Sequence, residues 1–501
     1  MTDSERGLHR RTGSPPDDTA ESPYGIAAPT DRQRSALTSG SVPVAVYGLG
    51  KMGLPLAAVF ADVTGNVVGA DVDPAVVDSV ENGDCHVKRE PGLAELVRET
   101  VDEGALAATT EPSEAANRAA IHVVVVPTPL TDDREPNLAA LDAAVEAIGS
   151  GLAPGDAVFV ECTVPPRTTV DRVLPTLEGE SGLERGEFGL ACCPERTSSG
   201  RALEDIRGAY PKVVGGVDAE STRVAELVYG ELNESGVIPT SDVTTAETVK
   251  VFEGLYRDVN IALANELATF TDEFGIDVRE AIDLANTQPY CDIHDPGPGV
   301  GGHCIPYYPY FVIEPFETDA PLLRAARAVN DSMPAYTVDR LEAALSETGT
   351  ALGDASVLVL GLTYRPGVEE IRASPALAIT EKLGERGAAV YGVDPLLESF
   401  EAFERHGLTP LPLESIDERG IDDHGFDAVV LVTPHEEFET IDWNALGRDG
   451  GELVVVDGRD ALEDDAVPDS HRVYTIGTGR DGAAEGDAGE SGVEAEEGTD
   501  V

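Results

Sequence analysis

The chain has 501 residues, with 35 Lys or Arg against 93 Asp or Glu and a formal charge of −58. Its length allows two to four domains around a large core, and its charge excludes nucleic acid and anionic membrane surfaces as partners, because the field repels phosphate. An anionic ligand must therefore find a local pocket of cations, and with lysine confined to Lys51, Lys88, Lys212, Lys250 and Lys382, arginine supplies most of the positive charge.

The acidity is spread along the whole chain, which reads as halophilic adaptation to a salt-rich cytoplasm, since self-repulsion at this charge destabilises a compact state unless salt screens it. Six cysteines, two of them the adjacent Cys192 and Cys193, make no disulfide framework and fit a reducing compartment. A zinc site from Cys192, Cys193, His303 and Cys304 lacks the spacing of metal-binding cysteine pairs, so no metal is expected. No apolar run reaches the ~20 residues needed to cross a bilayer and the N-terminus has no apolar signal core, which predicts a cytoplasmic protein.

In chain order, residues 1–40 are rich in Ser, Thr, Pro, Asp and Arg without periodicity and are expected to be a disordered arm. An apolar strand over Val42–Tyr47 then runs into Gly48-Leu49-Gly50-Lys51-Met52-Gly53 and an apolar helix, and a second strand over Asn66–Ala70 ends at Asp71. Strand, G-x-G-x-x-G, helix, strand and carboxylate together form the dinucleotide fingerprint: glycines for the turn and close approach of a pyrophosphate, a helix N-terminus for its charge, Asp71 for ribose hydroxyls. Further strands over Ile121–Val126, Ala157–Glu161, Leu190–Cys193 and Lys212–Gly215 alternate with helices, so residues 41–240 read as a Rossmann-type domain with a doubly wound parallel sheet.

The stretch Thr244–Phe274 has apolar residues at helical spacing on more than one face, which predicts a helix buried between domains or subunits. After it comes Pro296-Gly297-Pro298-Gly299-Val300-Gly301-Gly302-His303-Cys304-Ile305-Pro306, where small and rigid residues frame one cysteine. So many glycines suit a backbone close to a ligand, and Cys304 is the candidate nucleophile against the competing reading of a buried structural thiol. A helix over Leu322–Leu345 completes a central region, 241–346. Strands over Val357–Leu362, Ala389–Val393, Ala428–Thr433 and Leu453–Asp457 make a second α/β domain, 347–478, whose first turn lacks the dinucleotide glycines and should bind something other than NAD. An acidic, Gly-rich tail, 479–501, is expected to be disordered.

The motifs GLGKMGLPLA, GADVD, VVVPTPL, ECTVPP, CPER, VKVFEGLYRDVNIALANELA, PGPGVGGHCIP, GLTYRPGVEEIRASPA and VVDGRD, in this order over about residues 42–475, resemble the UDP-glucose/GDP-mannose dehydrogenase family, the UDP-sugar 6-dehydrogenases. CPER with GPGVGGHCIP looks most like the branch acting on UDP-N-acetylhexosamines, UDP-N-acetyl-D-mannosamine foremost. The resemblance implies two Rossmann-like domains joined by a central helical region, a homodimer, and a four-electron oxidation of the sugar C6 alcohol to a carboxylate with two NAD, supplying precursors for polysaccharide or glycan synthesis. Between the two oxidations, a cysteine would hold the aldehyde as a thiohemiacetal and then as a thioester.

Residue by residue, the resemblance implies Cys304 as nucleophile, Lys250 as the cation that favours its thiolate and steadies charge at the sugar oxygen, and Glu195 with Thr128 on the hydrolytic water. It places Gly48, Gly50, Lys51, Met52, Gly53, Asp71, Thr128, Pro129, Thr163 and Arg372 at the cofactor. It places Lys250, Gly301, Gly302, Arg365 and Arg459 at the UDP-sugar, with Arg365 standing where the family usually has lysine. Glu161 and Thr163 are expected on the nicotinamide side, turn chemistry before Pro165 being the competing reading. Two positions depart from the family: Gly254 stands where it usually has Asn, and Tyr308 where it usually has Asp. The alternatives are a UDP-glucose 6-dehydrogenase, a two-electron hydroxyacid dehydrogenase and a catalytically inactive nucleotide-sugar-binding protein.

Overall fold

A computed structural model describes residues 22–25, 28–416, 425–448, 451–463 and 466–480. The chain divides into two compact units, Met1–Asp258 with His303–Arg324, and Val259–Gly302 with Ala325–Val501. The expected central region 241–346 is shared between the two units. The division falls inside the helix Val243–Ala268 and again between Gly302 and His303, so Cys304 belongs with the dinucleotide fingerprint while the glycine run before it belongs to the second unit.

The first unit holds an eight-stranded sheet: β1 (Val44–Tyr47), β2 (Val67–Ala70), β3 (Leu106–Thr109), β4 (Ile121–Val124), β5 (Ala157–Val160), β6 (Gly189–Cys192), β7 (Lys212–Gly216) and β8 (Val237–Pro239). Their order is β3-β2-β1-β4-β5-β6-β7-β8. Strands β1, β2, β4, β5 and β6 are buried at every residue, the pattern of a sheet covered by helices on both faces, which is why all but β4, with its buried His122, read as unbroken apolar runs. The order reverses between β1 and β4, and ligands of such sheets gather beyond the carboxyl ends of the strands at that reversal.

Two expectations need correction here. The sheet is not wholly parallel, because β7 runs antiparallel to β6, with Ala191 opposite Gly216. An antiparallel neighbour needs no full crossover helix, and the connection from β6 to β7 is a loop with short helical turns that carries Glu195. Nor is the arm disordered up to residue 40: Thr30–Thr38 is a helix. Its Leu37 and Gln33, one turn apart, are buried, Gln33 accepts from Arg223, and Arg34 pairs with Glu231 at 2.9 Å. Leu37 enters the core of the unit with Ala36 packed against it, too sparse a pattern for composition to reveal. Residues 1–21 lie outside the described residues.

The second unit carries β9 (Ser356–Leu360), β10 (Ala389–Val393), β11 (Leu408–Pro410), β12 (Ala428–Leu431), β13 (Val454–Asp457), β14 (Arg472–Thr475) and β15 (Gly479–Arg480), in the order β11-β10-β9-β12-β13-β14-β15. All pairs are parallel except β14 with β15, which places Gly479 and Arg480 in the sheet, two residues into the expected tail. The remainder of that tail lies outside the described residues. After β9 the turn at Leu362 and Thr363 gives both backbone N–H groups to Asp394, at 2.7 and 2.9 Å, and His435 closes on the same carboxylate at 3.3 Å. Asp394 follows β10 as Asp71 follows β2, but its carboxylate is spent inside the fold.

Candidate active site

At the end of β1, Gly48 has φ +91°, and a side chain there would meet the Val125 carbonyl at 2.4 Å; one at Gly53 would meet the Gly48 carbonyl at 1.9 Å. These two glycines let the helix Gly53–Thr64 start hard against the strand. Around Gly50, by contrast, the space is open to 4 Å. Asp71 accepts the Leu49 N–H at 2.7 Å and the Asp73 N–H at 3.0 Å, so the carboxylate also fixes the turn. Lys51 is exposed, and Met52 receives the Thr197 hydroxyl on its sulfur at 3.0 Å.

A crevice lined by Met52, Glu161, Glu195, Tyr210, Lys212 and Tyr229, among others, lies beside this turn. Glu161 is 1% exposed, pairs with Lys212 at 2.6 Å and accepts from the Tyr229 hydroxyl. Burial pushes its carboxyl above the usual range, and Lys212 and Tyr229 only partly offset this. Glu161 thus lines the crevice with its carboxylate paired to Lys212 at the start of β7. Sequence reasoning recorded Lys212 without a role; its signal was an isolated lysine opening a strand of a lysine-poor chain.

The proposed chemical residues meet in the same unit. Glu195 follows β6; its Oε1 accepts both the N–H and the hydroxyl of Thr197, while Oε2 faces Lys250 Nζ at 3.8 Å. Lys250 is 8% exposed on the helix Val243–Ala268, which removes the reading of a surface lysine. Thr128, beyond β4, donates to the Thr163 carbonyl at 2.7 Å, and neighbouring Pro129 accepts from the Asn137 N–H at 2.7 Å. The Thr163 hydroxyl lies 3.2 Å from the Tyr308 hydroxyl, and the Tyr308 N–H donates to the Cys304 carbonyl at 3.0 Å. Lys250 Nζ stands 6.0 Å from the centre of the Tyr308 ring. Cys304 is exposed, whereas Cys162, Cys192 and Cys193 are buried thiols whose pKa values burial pushes up. Among the described residues no group of three or more His, Cys, Asp or Glu is arranged to hold a metal, and no helix is long and apolar enough to cross a membrane.

The remaining residues lie in the second unit. Arg459, after β13, is half-buried and points its guanidinium along the glycine run: Nη2 donates to the Gly299 carbonyl at 3.3 Å, and a side chain at Gly297 would meet Nη1 at 2.6 Å. Desolvation and the neighbouring Arg279 lower its pKa to about 10, which leaves it charged at neutral pH. Gly301 and Gly302 were expected to give a ligand backbone access. Their bare Cα atoms pack on Tyr364 and Ala373, and the Gly302 N–H donates to the Arg372 carbonyl at 2.9 Å. Arg365 lies 5.9 Å from the Tyr364 ring centre, and Arg372 is exposed.

Residues 42–233 match the NAD binding domain of the UDP-glucose/GDP-mannose dehydrogenase family, 244–332 its central domain and 358–464 its UDP binding domain. The chain belongs to this family. UDP-N-acetyl-D-mannosamine dehydrogenase of Pyrococcus horikoshii is 35% identical over 426 residues, covering 85% of this chain and 97% of that protein. The NDP-N-acetyl-D-galactosaminuronic acid dehydrogenase of Ralstonia nicotianae is 34% identical over 428 residues, covering 83% and 95%. A solved structure of the Pyrococcus horikoshii UDP-D-ManNAc dehydrogenase matches with a TM-score of 0.77 at 32% identity, over 87% of this chain and 99% of that one.

The protein is thus an NAD-dependent nucleotide-sugar dehydrogenase with two Rossmann-like domains. The fingerprint of this dehydrogenase fits a dinucleotide: open space over Gly50, a helix N-terminus without a side-chain cap, and a carboxylate at the end of β2.

Proposed function

We propose that the protein oxidises C6 of a UDP-N-acetylhexosamine, UDP-N-acetyl-D-mannosamine foremost, to the uronate in two steps at one site, for glycan precursor synthesis in a salt-rich cytoplasm. Bound NAD accepts hydride at each step; the residues of the chain do the rest. Gly48, Gly50, Lys51, Met52 and Gly53 hold the pyrophosphate at the helix N-terminus, Asp71 takes the ribose hydroxyls, and Thr128, Pro129, Thr163 and Arg372 complete the cofactor contacts. Arg365 and Arg459 supply the cations for the UDP group in an otherwise acidic chain, with backbone contacts at Gly301 and Gly302.

Between the oxidations the Cys304 sulfur adds to the C6 aldehyde, so that the intermediate stays on the protein. Lys250 stabilises the negative charge on the C6 oxygen. Glu195, its carboxylate anchored by Thr197, takes a proton from the water that cleaves the thioester, and Thr128 orients that water. The observation that supports this reading best is the run of contacts within one unit from Thr128 through Thr163 and Tyr308 to the Cys304 backbone, with Lys250 beside the Tyr308 ring and facing Glu195.

Incubating the enzyme in concentrated salt with NAD and a panel of UDP-sugars tests the reading. Two NADH per UDP-N-acetylhexosamine and a uronate by mass support it. One NADH per sugar favours a two-electron enzyme, preference for UDP-glucose moves the substrate, and no turnover on any sugar leaves a binding protein.

The active form is a homodimer through the helix Val243–Ala268. Phe252 and Tyr256 on this helix are 59% and 50% exposed in the single chain, an apolar face that a second copy covers. A monomer by light scattering in active buffer removes this part.

A further inference from the structure

The two departures from the family pattern, Gly254 and Tyr308, touch. A Cβ built on Gly254 would lie 2.2 Å from Tyr308 Cδ2, with Cγ and Cβ of the same ring at 3.0 and 3.1 Å. This far inside two van der Waals radii, neither atom can stay in place. Gly254 is buried within a continuous helix, where glycine has the lowest propensity of any residue but proline, so propensity does not explain it. The ring does: Tyr308 is buried, its N–H donates to the Cys304 carbonyl at 3.0 Å, and this single turn puts ring and thiol on one side.

We propose that Gly254 and Tyr308 form one matched exchange whose function is to place a hydroxyl donor on Cys304, making Tyr308 a positioning residue for the nucleophile. Resting on the reading of Cys304 given above, this goes beyond it by assigning a residue that holds the thiolate. The Thr163 hydroxyl lies 3.2 Å from the Tyr308 oxygen, and when it donates there the phenol proton is free for the Cys304 sulfur. A carboxylate at position 308 could only accept, and its charge would oppose a thiolate; a phenol supplies one donor and no charge. Burial, followed by the charge of Cys304, pushes the phenol pKa well above its usual value, so the proton stays in place across the working range. The charged groups that share this ring are Lys250, beside its face, and Glu195, which faces Lys250 and acts on the phenol through its charge.

The test reads the thiol itself. Iodoacetamide alkylates a thiolate, the sulfur displacing iodide, and peptide mass spectrometry follows Cys304 apart from the other five cysteines. Tyr308→Phe keeps the ring and removes only the hydroxyl. Its alkylation at neutral pH should be roughly tenfold slower, as expected for one lost hydrogen bond to a charged group; an unchanged rate overturns the assignment. The matched packing is read separately from melting temperatures. Gly254→Ala should lower Tm when Tyr308 is present and raise it in a Tyr308→Ala background, where alanine's helix propensity prevails. The same shift in both backgrounds overturns the pairing. Should Cys304→Ala retain two-step oxidation, the nucleophile reading fails while the alkylation result stands.

Discussion

Lys250 Nζ stands 3.8 Å from Glu195 Oε2, close enough for the charges to hold each other in place and too far for a hydrogen bond. A gap of this size between two polar groups suits a water or a substrate oxygen. The other carboxylate oxygen is already committed to Thr197, so Glu195 can turn only one lone-pair edge toward the reacting atoms.

Glu195→Gln should therefore complete one round of oxidation and stall. An amide keeps the Thr197 contact but cannot take a proton from water, so steady-state turnover should fall about 10²- to 10⁴-fold, the usual contribution of a general base. Intact-protein mass spectrometry should show sugar attached at Cys304. Full turnover of an unmodified protein would transfer the base role to another group.

Cys304→Ala should abolish NADH production from the UDP-sugar while NADH binding, followed by fluorescence, persists at Gly48, Gly50 and Gly53. Cys304→Ser should form an ester that hydrolyses more slowly than a thioester and leave sugar bound to the protein. Equal turnover of both variants and the parent would remove the covalent step.

Asp71 receives the Leu49 N–H and, as proposed above, takes the adenosine ribose hydroxyls, so its removal should have two effects. The parent enzyme should prefer NAD to NADP, since a carboxylate repels a 2′-phosphate. Asp71→Ser should narrow that preference and also lower stability by about 1 kcal/mol for the lost charged hydrogen bonds. Equal kcat/KM of the parent for the two cofactors would place Asp71 elsewhere.

Burial tends to raise the pKa of Asp394, but hydrogen bonds from His435, Thr363 and Leu396 outweigh it, and the carboxyl lies below its usual value. For a depressed carboxyl the stabilisation is complete above the unfolded pKa, about 3.9, and fades as pH falls through the lower folded value. Asp394→Asn should cost about 2 kcal/mol at neutral pH. In urea melts that difference should shrink as pH drops below about 4, and a cost independent of pH would contradict the assignment.

Folding and activity should need concentrated salt, because a formal charge of −58 repels itself when unscreened. Dialysis into dilute buffer should lower Tm. An unchanged value would show that the acidity is not a salt adaptation.

Periodicity and motif order determined much by themselves: the runs Val44–Tyr47, Ala157–Val160 and Ala428–Leu431 are continuous because strands covered on both faces carry no polar alternation, and such strands declare themselves locally. The glycine turn with Asp71 was equally legible, since spacing and flanking strands fix it. What depends on contacts between distant residues was not. The reversed β7, the docking of Leu37, and the pairing of Glu161 with Lys212 across 51 positions have no local signature. Gly254 and Tyr308 were visible as two separate oddities, 54 positions apart; only the tertiary structure made them one, because a steric exclusion between two side chains exists only when the fold brings their backbones together.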